Sequence, residues 1–191
     1  MKTISKALAK GAVATFVAGA MVASAAAMLA WIFFDAVRGK KISAMGACIG
    51  AVVGLVAITP AAGFVSIPSA LAIGLIASIV SNLVVSKFPK GKIDDALDVF
   101  ACHGVGGMVG MLLTGVFASK SVNALVGDNQ GLIYGDPTLF LIQLKALVLV
   151  SAFAFLISYF LFYVVNKITP LRVSEDKEEL GLDITQHGEQ L

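Results

Sequence analysis

Residues 94–119 read DDALDVFACHGVGGMVGMLLTGVFAS. After Asp98 nothing in the stretch is charged, and His103 stands near the start of a run that is otherwise apolar or small. Five glycines follow the histidine within twelve positions. A run of about 20 such residues is what a helix needs to cross a bilayer. Three carboxylates, Asp94, Asp95 and Asp98, open the run, with Asp98 at its edge. Helix capping and attraction to the positive end of the helix dipole account for carboxylates there.

The rest of the chain agrees with a lipid solvent. Of 191 residues, 58% are hydrophobic and 14% charged, against about 45–50% and about 25% in soluble domains. Four further apolar runs, at 11–37, 42–65, 69–85 and 139–165, join the one at 97–118. The sequence therefore predicts an all-α integral membrane protein with about five transmembrane helices. Pro68 suits the start of the third. Pro60, in AITPAAGF, kinks or ends the second, so that crossing either continues past a kink or stops near Thr59. The organisation expected is a basic N-terminal extension at 1–10, a transmembrane bundle at 11–165 and a polar tail at 166–191.

Charge placement orients the spans. The basic clusters Arg38/Lys40/Lys41, Lys87/Lys90/Lys92 and Lys167/Arg172/Lys177 follow spans one, three and five. The connections after spans two and four are not basic. The positive-inside rule puts all three clusters, and the C-terminus, in the cytoplasm. Lys2, Lys6 and Lys10 pull the other way, and residues 1–27 share features with a secretory signal. The apolar run nevertheless continues through MLAWIFF to Arg38, which favours an uncleaved span. A net charge of +2, with the basic residues in loops and not in a patch, is too small to suggest a nucleic-acid partner. Cys48 and Cys102 lie inside apolar runs and read as small core residues.

On an α-helix, His103 shares its face with Gly107, Gly110 and Thr114. A strip with so little side chain has two uses. It lets another helix approach closely, as the Gly106–Gly110 spacing suggests, or it leaves a narrow lumen. Gly46, Gly50 and Gly54 repeat the device in the second span. Ionisable groups at membrane depth mark ion or substrate pathways by default, although a structural hydrogen bond from a neutral imidazole is the alternative.

The stretch 94–119, the stretch 31–82 (WIFFDAVRGKK…AITPAAGF…ASIVSN) and the tail LRVSEDKEELGLDITQHGE at 171–189 together resemble the Amt/Rh ammonium transporter family. The resemblance runs in order over roughly residues 14–190. It implies an eleven-helix fold in the cell (inner) membrane, of which this chain corresponds to the last five helices. It further implies a homotrimer whose subunits each carry an apolar pore, lined by one histidine from each half of an inverted repeat. His103 matches the second-half histidine and Thr59 a pore-side threonine. Asp95 matches a buried structural carboxylate, and Asp98 lies beside it at the pore end. Gly106, Gly107 and Gly110 would serve helix packing or the pore wall.

The resemblance also implies that the six earlier helices, with the partner histidine, belong to a first half or a full-length paralogue. The other histidine of this chain, His187, is in the tail. The tail would meet neighbouring subunits and a PII-type regulator. The function expected is transport of ammonium as separate ammonia and proton, relayed by an imidazole that donates at one nitrogen and accepts at the other. No enzyme chemistry, catalytic residue, metal or cofactor is expected. The alternatives are a non-transporting remnant, or an accessory subunit that pairs with a full-length transporter.

Overall fold

The computed structural model describes residues 2–87, 95 and 97–189, with side chains from residue 13 onward. Lys90, Lys92 and Asp94, and the side chains of Lys2, Lys6 and Lys10, lie outside the described residues. The chain forms two compact units, Met1–Leu147 and Val148–Leu191. The helices are α1 (Lys2–Val37), α2 (Ala44–Ile58), α3 (Ile67–Lys87), α4 (Gly106–Phe117), α5 (Thr138–Ile168) and α6 (Glu175–Leu180). A π-helical turn, Phe100–Val105, leads directly into α4.

Four stretches are long and apolar enough to cross a membrane: Val13–Val37, Ile67–Lys87, Phe100–Phe117 and Thr138–Ile168. The second expected span is shorter. α2 has 15 residues, about 22 Å at 1.5 Å per residue, against a hydrocarbon core of about 30 Å. Its start is capped by Ser43, whose hydroxyl accepts from Gly46 N at 3.0 Å. Its end comes at Pro60, which has no amide to continue the ladder. Thr59 N turns back to Val56 O at 3.3 Å, and the chain proceeds through turns to Gly63, at φ +80°. Of the two readings of Pro60, the helix end near Thr59 is the one observed.

The first unit is built on close helix approach. Lipid supplies no hydrophobic drive between helices, so small residues and interhelical hydrogen bonds hold such bundles together. The Ala23 carbonyl lies where Cβ atoms on both Gly54 and Gly74 would fall, so α1, α2 and α3 cross at residues without side chains. Trp31 covers Gly46 and Gly50 in the same way. Ser78 Oγ donates to Ala27 O at 2.7 Å, and Ser24 Oγ donates to Ala51 O at 3.0 Å. Near the end of α1, the buried Asn82 amide donates to Asp35 Oδ1 at 3.0 Å. Its oxygen accepts from Arg38, whose guanidinium also reaches Ser86 Oγ at 2.8 Å.

The TPAAGF turn is fixed by the loop after α4. Ser119 N donates to Phe64 O at 2.9 Å, and Asn123 Nδ2 donates to Gly63 O at 3.2 Å. In that loop Asp128 pairs with Lys120 at 2.8 Å, and this hydrogen bond holds its carboxyl below the usual range.

In the second unit the α5 segment has no buried residue, and Phe153, Phe155, Tyr159, Phe160 and Phe162 are among its exposed ones. Ser174 begins α6 in extended conformation, and Gly181, at φ +93°, ends it. Arg172 grips Glu178 with two hydrogen bonds, at 2.6 and 2.7 Å, which hold the Glu178 carboxyl below its ordinary range. Thr185 Oγ1 donates to Gly181 O at 2.9 Å and folds its own turn back on α6.

Candidate functional site

The site is built from the helix start at Asp95. Both of its carboxylate oxygens accept backbone amides, from Val99 at 2.8 Å and Phe100 at 2.9 Å. The carboxylate, four and five residues upstream of them, thus satisfies two donors that a helix start otherwise leaves orphaned, while the N-cap position itself, Val99, has no side-chain capping bond. Asp95 is partly rather than fully buried, which departs from the buried carboxylate that the resemblance implies. Asp98 has a left-handed φ of +53°, and its carbonyl accepts from Cys102 N at 3.0 Å. It shapes the entry of the helix with its backbone.

The π-turn changes which residues share a face with His103. One additional residue in a helical turn rotates the residues before it by about 100° relative to the residues after it. The strip expected from His103 through Gly107, Gly110 and Thr114 is therefore not the one observed. Gly106, Gly110 and Thr114 are buried, while His103 is exposed. A Cβ on Gly110 would fall on the Ala57 backbone, and one on Gly106 would touch Val53, Val56 and Ser81. These two glycines pack α4 against α2 and α3. Thr114 Oγ1 closes on its own helix, donating to Gly110 O at 2.8 Å.

The opposite side is open. A Cβ on Gly107 would meet only Val56 Cγ1, at 3.9 Å, and Gly104 in the π-turn faces the Phe100 ring of its own turn. His103 thus stands out from a span whose other face is taken up by packing. Thr59 is also exposed, at the end of α2, with its hydroxyl donating to Leu55 O at 2.7 Å. That hydroxyl retains lone pairs to accept with. Among the described residues no group of three or more His, Cys, Asp or Glu is placed to hold a metal ion.

The sequence profile of the Ammonium Transporter Family matches residues 3–191. The chain belongs to the ammonium transporter family. An ammonium transporter of Bacillus subtilis is 44% identical over 87% of this chain and 41% of its own length. One from Aquifex aeolicus is 44% identical over 88% of this chain and 39% of its own length. The crystal structure of Saccharomyces cerevisiae Mep2 superposes with a TM-score of 0.79 at 38% identity, covering 90% of this chain and 40% of the yeast chain. The chain thus spans about 40% of the length of the ammonium transporters it matches. Family and apolar helices together make it a multi-pass membrane protein, and its α-helical fold is that of the ammonium transporters.

Sequence reasoning missed the polar edge of α3. Ser78, Ser81 and Asn82 are almost fully buried, and the Ser81 hydroxyl has no hydrogen-bond partner among the described residues. The signal was present in ASIVSN, where polar residues recur at helical spacing inside an apolar run. Lys145 was missed as well; it is exposed two turns into α5, where a long stem can carry its ammonium toward the interface.

Proposed function

We propose that this ammonium transporter family chain forms one wall of a path for ammonia across the membrane, with His103 and Thr59 lining it. The observation that carries the reading is the exposed His103, near the start of an apolar candidate span, Phe100–Phe117, whose other face is committed to α2 and α3. A bare ammonium ion is too costly to move through an apolar bore. Ammonium is therefore deprotonated before the bore, and proton and ammonia pass separately. An imidazole suits such a wall, because it donates at one ring nitrogen and accepts at the other. Desolvation within a closed bore would favour its neutral form. The role is transport, without enzyme chemistry. Asp95 supports the wall by accepting two amides at the π-turn's entry, and Asp98 supports it by shaping the same entry.

The second wall comes from further helices of the transporter, in keeping with the inverted-repeat plan in which substrate passes between two halves. We place the chain as the second half of a subunit that assembles as a homotrimer in the cell inner membrane. In this reading 1–10 is an extension, 11–165 the membrane bundle and 166–191 a cytoplasmic tail that a PII-type regulator reads.

Liposome reconstitution tests the proposal. With a complementary first half, methylammonium uptake is expected, and with this chain alone none above empty vesicles. Saturable uptake by the chain alone would contradict it. Binding to a full-length transporter without restored transport would support the accessory reading. For topology, Lys40→Cys should label only from the cytoplasmic side and Ser121→Cys only from outside. Labelling of both from one side would overturn the orientation.

A further inference from the structure

Gly107 is a glycine that the packing of the bundle does not need. It lies within the continuous helix Phe100–Phe117, without a positive φ, and glycine weakens a helix interior relative to alanine. Membrane helices keep small residues where two backbones approach. Gly110 answers to that use, because a Cβ on it would fall on the Ala57 backbone. Gly107 does not. Its Cβ would meet Val56 Cγ1 at 3.9 Å, an ordinary contact, and no other neighbour among the described residues within 4 Å.

The bare backbone belongs to the open side of the helix. Gly107 follows the exposed His103 by four residues, about one helical turn. Val56 is partly exposed, and its Cγ1 also lies 3.6 Å from the place of a Cβ on the buried Gly106, so this methyl marks the seam between α2 and α4. Three residues beyond it, the exposed Thr59 donates its amide to Val56 O at 3.3 Å. The approach of Gly107 to Val56 thus joins the turn after His103 to the turn before Thr59.

We propose that Gly107 sets the size of the amine that this path admits, its missing side chain leaving room beside Val56 for one methyl group. This rests on the reading of His103 and Thr59 as path residues, and it names the solutes they pass: ammonia and the smallest primary amines. Methylamine exceeds ammonia by one methyl, the same group that Gly107→Ala would add to the wall. Val56 has little freedom to swing aside, because a β-branched side chain in a helix strongly prefers one χ1 rotamer.

Uptake of ammonium and of methylammonium, measured separately in liposomes holding this chain and a complementary first half, tests the assignment. Gly107→Ala should lower the ratio of methylammonium to ammonium uptake by about 10-fold or more, the discrimination that one methylene-sized group gives in an apolar pocket. It should keep its melting temperature. Adding Val56→Ala to Gly107→Ala returns the volume and should restore most of the ratio. Gly110→Ala, which fills a packing contact, should lower the yield of folded complex and leave the ratio as in wild type. An unchanged ratio in Gly107→Ala, with uptake still abolished by His103→Ala, would overturn this inference and leave the path standing. A ratio that falls equally in Gly110→Ala would also overturn it, since loosened packing would then be the cause. Uptake of both amines that survives His103→Ala would sink the path reading, and this inference with it.

Discussion

Gly110 and Gly107 are three residues apart on one helix and face different surroundings. Gly110 has the Ala57 backbone where its side chain would be; Gly107 has only a distant methyl of Val56. The first glycine lets two helices touch, and the second leaves a surface bare beside an exposed imidazole. A count of glycines cannot separate these uses. What separates them is the atom that a Cβ would meet. The same contrast explains why His103 stays exposed: α4 packs through Gly106, Gly110 and Thr114, and the π-turn carries the histidine off that strip.

The contrast predicts a graded mutational response. Gly110→Ala, Gly54→Ala and Gly74→Ala should be the most harmful. Each puts a methyl on a backbone carbonyl of a neighbouring helix, and overpacking costs about 1–3 kcal/mol. Thermal unfolding in detergent reads the loss, and an unchanged melting temperature at Gly110→Ala would show that α4 can back away from α2. Asp95→Ala should cost about 0.5–1.5 kcal/mol, because two helix-start amides lose their acceptor. Asp95→Asn should recover most of it. If both variants lose the same amount, the carboxylate acts through its charge and not as a hydrogen-bond acceptor. Gly107→Ala should fall within about 0.5 kcal/mol of wild type, as surface substitutions do.

The smallest effect expected is in the tail. The Arg172 hydrogen bonds depress the carboxyl of Glu178 when folded. Its contribution is therefore present above the carboxyl's unfolded value and is lost as pH falls through the lower folded one. The pair is exposed, so the readout is local: the Glu178 carboxyl resonance should titrate below the ordinary range and return to it in Arg172→Gln. Titration at the ordinary range in both would show that the pair does not persist in solution.

Much of this architecture was legible in the sequence, because bilayer thickness imposes run length and runs are easy to see. The helix end near Thr59 was readable as one of two alternatives at Pro60. The face of His103 was not legible. A 3.6-residue template assumes an unbroken α-helix, and nothing in FACHGV announces a wider turn. The buried amide of Asn82 was overlooked for a different reason: an apolar average hides a few polar residues whose partners, Asp35 and Arg38, lie more than 40 positions away.

His103→Ala, made in a transporter whose second wall is present, tests the central claim most directly. Flux and melting temperature should be measured on the same preparation. We expect selective methylammonium uptake to be lost while the melting temperature stays within the change of about 0.5 kcal/mol typical of a surface substitution, because the imidazole is exposed and packs nothing on α4's buried face. A drop in stability or assembly, with flux per folded complex unchanged, would contradict the account and make His103 a packing residue.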